Sequence, residues 1–124
     1  MKIIKIINAK EIFSPYFQEK LSPSLSYKIY KLCISAEQEE AFYNQKMGEI
    51  IEEYAKRDEK GSIININGQI KLTEETASVA QQKVADLRSI DVEVPNIKFT
   101  LDELSEIKLS VADIAAIDEF IKEV

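Results

Sequence analysis

The chain has 124 residues, of which 45% are hydrophobic and 31% are charged. This balance is typical of a folded globular chain, and the length suits a single domain over residues 1–124. The net charge of −6 disfavours direct binding to nucleic acid, because an acidic surface repels phosphates. The sequence contains no histidine, which removes the commonest general base and nearly every zinc site, so we expect no enzymatic activity.

The sequence also bears on the compartment. Its one cysteine, Cys33, has no internal partner for a disulfide, so nothing indicates an oxidising environment. No run approaches the roughly 20 apolar residues that a membrane span requires. Residues 1–7 are too short for a secretory signal and are interrupted by lysines. We therefore expect a cytoplasmic protein that does not bind membranes.

The first elements follow from local patterns. Residues 2–7 are rich in isoleucine and predict a buried strand. Asn8 is the predicted N-cap of a short helix that Pro15 interrupts. Ser22 followed by Pro23 predicts the start of a second helix, since serine caps helices and proline favours the first helical position.

This second helix is expected to be long. No strong helix breaker follows for roughly 35 residues, which corresponds to about 50 Å of helix. Its apolar residues are separated mostly by steps of three and four, as in helices that pair with other helices. The stripe consists of Leu25, Ile29, Leu32, Ala36, Tyr43, Met47, Ile50 and Tyr54.

A β-hairpin is predicted after the long helix. Residues 62–72 alternate polar and apolar around Asn67 and Gly68, the preferred dipeptide for a type I′ turn. Thr73 is the predicted cap of a third helix. Residues 24–90 are thus predicted to form an antiparallel helical hairpin with a β tip at 62–72.

The last third of the chain predicts short strands and one helix. Residues 91–95 and 97–101 alternate in hydrophobicity. Ser110 and Asp113 have the spacing of a capping box, which predicts a helix from there to the C-terminus.

The predicted fold class is α+β. We expect the strand at 2–7 to pair with residues 97–101. Together with the C-terminal helix, this short β-sheet would form a base from residues 1–21 and 91–124. The long helical hairpin, with its small β-hairpin tip, would extend from that base.

Metal or cofactor binding is not expected. Several residues match ligand or glycine positions of a calcium loop, but Ile63 stands where that loop needs a carboxylate. The matching residues are Asn65, Asn67, Gly68 and Glu74. Cys33 lies among apolar neighbours with no histidine to activate it, so we expect a structural thiol.

Several segments resemble an uncharacterised family of small proteins encoded by phages and prophages of low-GC Gram-positive bacteria. The resemblance runs in order through residues 26–31, 53–61, 67–72, 91–94 and 99–104. It departs at residues 20–24, which read Lys-Leu-Ser-Pro-Ser where the family usually has Lys-Leu-Pro-Val. The resemblance implies a phage accessory protein in the host cytoplasm or in the virion, and no activity.

Two functions follow as hypotheses. The first is protein–protein interaction with a host target, such as inhibition of a defence nuclease by an acidic surface. The second is a structural or assembly component of the phage particle in the tail, neck or baseplate, with the apolar stripe as an oligomer interface. A weaker third, a holdase-like module, rests on the fold-level likeness of a helix–hairpin–helix to prefoldin.

In both main hypotheses the partner is a protein, either a host protein, a phage structural protein or another copy of this chain. The predicted contact region combines aromatic and methionine side chains with charged neighbours, a composition typical of interface cores and rims. Its residues are Glu39, Glu40, Phe42, Tyr43 and Met47.

Overall fold

The computed structural model describes residues 1–66 and 69–122, and more than half of them are helical. The α-helices of these ranges are α1 (Ile3–Phe13), α2 (Pro23–Tyr54), α3 (Ala77–Arg88), α4 (Leu101–Leu104) and α5 (Val111–Ala116). Two 3-10 turns lie at Ser14–Tyr16 and Asp118–Phe120, and two strands are β1 (Asn65–Ile66) and β2 (Gln69–Ile70). Within the described ranges, no helix combines the length and apolarity needed to cross a membrane.

The predicted α+β class is wrong, because the protein is mostly helical. In residues 1–66 and 69–122, β1 and β2 form a lone strand pair, and the short β-sheet predicted for the base is absent. Residues 97–101 do not pair with the N-terminal segment. Phe99 instead forms an isolated parallel bridge with Ile121, while Lys2 bridges Asp91.

The segment predicted as the first strand lies in α1. Ile3, Ile6 and Ile7 are spaced by three and four residues and are all buried, so they form one face of a helix. A short apolar run fits a strand or a helix equally well by pattern. Burial of this face, which continues to Phe13, outweighs the strand preference of isoleucine. Asn8 therefore lies inside α1 rather than at a helix start.

α2 begins at Pro23, where the Ser22–Pro23 pair predicts it, and runs for 32 residues. The Ser22 hydroxyl accepts a hydrogen bond from the Leu25 N–H at 3.4 Å, and its carbonyl accepts one from the Ser26 N–H at 2.9 Å. These bonds satisfy amides of the first turn that have no partner within the helix. The prediction of a long, unbroken second helix is confirmed.

α3 begins later than predicted. The Thr73 N–H donates to the Tyr54 carbonyl at 3.1 Å, which holds this threonine beside the end of α2. Thr73 then accepts a hydrogen bond from the Thr76 N–H in a turn, and the helix starts at Ala77. The predicted cap at Thr73 is therefore wrong, because its hydroxyl pairs with the Thr76 hydroxyl in this turn instead of accepting from an amide of the first helical turn.

β1 and β2 pair antiparallel on either side of Asn67 and Gly68. The register joins Asn65 to Ile70 and Ile66 to Gln69. The type I′ turn predicted for Asn67–Gly68 lies outside the described residues.

The C-terminal part contains two capping boxes. The predicted one is confirmed, since the Ser110 hydroxyl accepts from the Asp113 N–H at 3.1 Å and the Asp113 carboxylate accepts from the Ser110 N–H at 3.0 Å. The helix it starts, α5, ends at Ala116 rather than running to the C-terminus, because the backbone of Ile117 leaves the helical region. A second box, from Thr100 and Glu103, starts α4.

Contacts along the chain define two compact units, whose boundary falls within α2. We call residues 1–40 with 91–124 the terminal unit, and residues 41–90 the middle unit. The boundary between the units lies inside one continuous helix. That residues 1–124 fold as a single domain stays a prediction.

The terminal unit holds most of the buried apolar side chains. Phe13 of α1 packs on Phe99 with 4.9 Å between ring centroids. Around them lie buried side chains from α1, from the first part of α2 and from the C-terminal segments: Ile3, Ile6, Leu25, Leu32, Ile117 and Phe120. This unit therefore has an ordinary hydrophobic core.

Candidate functional site

The middle unit contains an apolar groove between its part of α2 and α3. The groove has a volume of about 360 Å³, and one polar side chain, Gln81, is among those lining it. The apolar lining residues are Met47, Ile50, Ile51, Ile70, Leu72, Ala80 and Val84. The two helices are held side by side at Lys83, whose ammonium lies 3.7 Å from the Glu53 carboxylate and 5.0 Å from the Tyr54 ring centroid.

Few apolar side chains of the middle unit are buried. Among its described residues, the buried ones are Tyr54, Ala55, Ala80 and Leu87. Of the groove residues other than Ala80, the apolar ones are all half-buried. Leaving such side chains partly in water forfeits roughly 25 cal/mol for each Å² of apolar surface that a partner would cover. A protein surface that packs onto this groove would therefore gain free energy.

The charges near the groove alternate in sign. Lys46 and Glu49 form a salt bridge of 3.2 Å on α2, and Arg57 pairs with Glu52 at 2.8 Å. Residues 41–90 carry seven basic and eight acidic side chains, so the middle unit is close to neutral. Its surface thus lacks the single sign of charge that attracts a strongly charged partner.

The five predicted partner-contact residues divide between the two units. Phe42, Tyr43 and Met47 belong to the middle unit, and Met47 lines the groove. Phe42 is 41% exposed, and the Lys46 ammonium lies 5.9 Å from its ring centroid. Tyr43 is half-buried. All three residues lie on α2, but of the three, Met47 is the one that lines the groove.

Glu39 and Glu40 belong to the terminal unit, and both are half-buried. The Glu40 carboxylate forms a salt bridge of 3.5 Å with Lys10, which links α2 to α1. That partner explains the position of Glu40 without an external protein.

Glu103 is the centre of a polar cluster in the terminal unit. Its carboxylate accepts hydrogen bonds from the Lys28 ammonium at 2.6 Å, from the Ser24 hydroxyl at 2.5 Å and from the Thr100 N–H at 2.9 Å. Burial alone raises the pKa of Glu103, but these hydrogen bonds lower it from 4.5 to about 2. The cluster joins the start of α2 to α4 and has a structural role.

Cys33 lines a second cavity of about 280 Å³ in the terminal unit. Burial raises the pKa of its thiol, Lys10 acts in the opposite direction and Glu37 raises it further. The thiol form is therefore favoured at neutral pH, and nucleophilic attack needs the thiolate. Aromatic and aliphatic side chains also line this cavity, namely Tyr16, Phe17, Leu21, Ile29 and Tyr30.

A third cavity of the terminal unit, of about 630 Å³, is rich in lysine. Its lining residues are Tyr27, Lys28, Lys31, Pro95, Asn96, Ile97, Lys98, Thr100 and Lys122. The sequence pattern did not predict this site, because its residues come from three separate segments. Nothing local in residues 26–31 connects them to Lys98 or Lys122.

Within the part of the chain that the structure describes, no group of three or more cysteine and carboxylate side chains is arranged to hold a metal ion. Two residues of the calcium-loop match, Asn67 and Gly68, lie outside the described residues.

Comparison with known proteins finds no matching family model, and no curated protein or solved structure that is similar to this chain.

Proposed function

We propose that this protein acts by binding protein rather than by catalysis, and that the groove of the middle unit receives a second copy of the chain. The observation that carries the proposal is the half-buried apolar lining of that groove, contributed by α2, α3 and the hairpin. Grooves between two helices commonly accept the apolar face of another helix. In a two-fold dimer, the interface is formed by the same surface of both copies.

The charge pattern favours a second copy over a strongly charged partner. Lys46 pairs with Glu49 and Lys83 pairs with Glu53 within the unit, so these charges are already balanced before a second copy arrives. Near neutrality of residues 41–90 keeps the repulsion between two copies small. An apolar centre with mixed charges around it is typical of self-associating surfaces.

Self-association suits the structural hypothesis best. In the phage setting that the sequence resemblance implies, the protein is a component or assembly factor of the tail, neck or baseplate, found in the host cytoplasm and then in the virion. Repeated copies are the usual building principle of such assemblies.

The test is the oligomeric state of Met47→Glu. We expect the wild-type chain to run at twice its 14.1 kDa monomer mass in light scattering at about 100 μM, and M47E to run as a monomer with unchanged helical circular dichroism. A buried glutamate in an apolar interface costs far more than the interface gains at that position. Met47→Gln, which adds polarity without charge, provides a milder variant if M47E does not fold.

The matched control is Val79→Glu. Val79 lies on α3 of the same unit, is 48% exposed and does not line the groove. V79E should therefore dimerise like the wild type. A monomeric wild type at about 100 μM would overturn the proposal, as would loss of the dimer in V79E or retention of the dimer in both Met47 variants.

A second candidate is supported by the acidic C-terminal segment. Residues 91–124 carry nine acidic side chains and three lysines, which suits a basic partner surface such as the nucleic-acid channel of a host defence nuclease. The test is displacement of fluorescent DNA from a purified nuclease of the host. Neutralising exposed acids of this segment, as in Asp102→Asn with Glu93→Gln, should weaken displacement, and no displacement by the wild type would reject this candidate.

A further inference from the structure

The lysine-rich cavity of the terminal unit contrasts with the charge of that unit. Residues 1–40 and 91–124 carry nine basic and fourteen acidic side chains, yet four of the nine bases line this one cavity. No aspartate or glutamate is among its lining residues. The cavity therefore combines positive charge with a concave shape of about 630 Å³, within the size range of small-molecule sites.

Three of the four lysines remain free of ion pairs among the described residues. Lys28 is held by Glu103 at 2.6 Å, whereas Lys31, Lys98 and Lys122 form no salt bridge in the described part of the chain. The Lys98 ammonium donates a hydrogen bond to the Glu119 carbonyl. Lysine ammonium groups bind phosphate as point charges, and each has three donors.

Backbone hydrogen bonds place the segments of Lys98 and Lys122 side by side, although the two lysines are far apart in sequence. The Phe99 N–H donates to the Phe120 carbonyl at 2.7 Å, and the Lys122 N–H donates to the Phe99 carbonyl at 2.8 Å. The buried Phe99 ring anchors this pair of segments in the core. Two positive charges are thus positioned by the fold on neighbouring chain segments.

The cavity also offers flat apolar surface. Tyr27 is 62% exposed, its ring makes an edge contact with Tyr30, and the Lys31 ammonium lies 5.9 Å from its centroid. Pro95 and Ile97 add apolar surface to the lining. Any of the nucleic-acid bases can stack on such a ring, because each base has an aromatic face.

An adjacent cavity indicates on which side of Lys98 and Lys122 an anion would bind. It shares Lys98 and Lys122 but is also lined by the acidic side chains Asp118 and Glu119. These carboxylates disfavour an anion on that side. A phosphorylated ligand is better accommodated on the side of Tyr27 and Lys31.

We propose that this cavity is a binding site for a small nucleotide, with its phosphates on Lys31, Lys98 and Lys122 and its base on Tyr27. The site belongs to the terminal unit and does not depend on self-association through the middle unit. The shared chemistry of a free nucleotide and the end of a nucleic-acid strand is a nucleoside phosphate, and the cavity volume favours the free nucleotide.

The test is calorimetric titration with ATP, adenosine, sodium tripolyphosphate and a single-stranded deoxythymidine oligonucleotide at an ionic strength of about 0.15 M, where the Debye length is about 8 Å. We expect ATP to bind more tightly than tripolyphosphate, and adenosine to bind weakly. The variant K31Q/K98Q/K122Q should weaken ATP binding at least about tenfold, since each removes a charged hydrogen-bond donor. Tyr27→Leu should weaken ATP binding while leaving tripolyphosphate binding unchanged.

The matched control is K56Q/K60Q/K71Q, which removes the same three positive charges from exposed positions of the middle unit. ATP affinity of this variant should stay within about twofold of the wild type, because net charge acts only at long range and is screened by salt. Equal weakening by both triple variants, equal binding of ATP and tripolyphosphate, tighter binding of the oligonucleotide, or no binding of ATP at millimolar concentration would each overturn the proposal. The single variant K31Q repeats the test if the triple variant does not fold.

Discussion

Glu103 shows how one side chain can serve two local structures at once. Its carboxylate closes the capping box of α4 through the Thr100 N–H, and it also accepts from Lys28 and Ser24 on α2. The side chain is only 12% exposed. A carboxylate with several donors is stabilised in its ionised form, which is why its pKa falls to about 2.

The pKa of Glu103 predicts a specific loss of stability in acid. Because the folded pKa is about 2 and the ordinary value is 4.5, the ionised group contributes stability above pH 4.5 that is lost as pH falls towards 2. Glu103→Gln should lack this part of the pH dependence. At pH 7 the free energy of unfolding of this variant should be about 1–3 kcal/mol lower than that of the wild type, since the variant loses charged hydrogen bonds. Urea unfolding between pH 7 and 2.5 measures both effects.

Asp102→Asn is the matched control for this prediction. Asp102 is the preceding residue of α4, and its side chain is exposed. Its substitution should leave the pH dependence between 4.5 and 2 close to that of the wild type. If D102N and E103Q respond alike to acid, the pKa assignment to Glu103 is wrong.

At the scale of elements, the segment after α2 makes a turn at residues 58–61 that favours glycine. Gly61 has φ +83°, a left-handed conformation that other residues adopt at a cost. Its N–H donates to the Asp58 carbonyl at 3.0 Å, and the Asp58 carboxylate accepts from the amides of Lys60 and Ser62. This turn redirects the chain from the end of α2 towards β1.

Two glycine substitutions should shift stability in opposite directions. Gly61→Ala should reduce the free energy of unfolding by about 1 kcal/mol or more, because of its positive φ. Gly48→Ala should increase it by about 1 kcal/mol, since glycine is a poor helix former in the interior of α2. A Cβ atom at either position meets no atom within 4 Å, so backbone conformation alone separates them. Denaturant unfolding of the monomer measures both, and a gain in G61A would contradict the reasoning.

Across the whole molecule, burial is unevenly distributed between the two units. The terminal unit contains the fully buried Phe13, Phe99 and Ile117, whereas the buried side chains described for residues 41–90 are Tyr54, Ala55, Ala80 and Leu87. Local stability follows local burial, and regions with few buried apolar contacts open more readily.

Hydrogen exchange should therefore be faster in the middle unit. We expect amides of α3 to exchange at least about tenfold faster than those of α1, because a difference of 1.4 kcal/mol in opening free energy already gives that factor. Raising the protein concentration should slow exchange in residues 41–90 if the groove dimerises. Uniform protection along both units would contradict this expectation.

Local signals account for the parts of the fold that the sequence predicts well. The start of α2 follows from Ser22–Pro23, and the start of α5 follows from Ser110 and Asp113, because a cap and its partner amide are a few residues apart. The Thr100–Glu103 box has the same spacing, but it was not predicted, because residues 97–101 were expected to form a strand. Met47 is one of the predicted contact residues, and it lines the groove. Its spacing of three and four residues from Ile50 and Ile51 places all three on the same face of α2.

Tertiary structure alone decided what depends on distant residues. The isoleucines of α1 suit a strand or a helix by pattern, and burial against other elements selects the helix. Thr73 does not cap α3, because its hydroxyl and its carbonyl both bond to Thr76 in a turn that precedes the helix. Hydrogen bonds of Phe99 to residues 120 and 122 bring Lys98 near Lys122, and the cavity that both line also includes Tyr27 and Lys31 of α2. Sequence determines interactions within a few residues directly, whereas contacts between distant segments exist only once the chain has folded, because their energies depend on which surfaces become buried together.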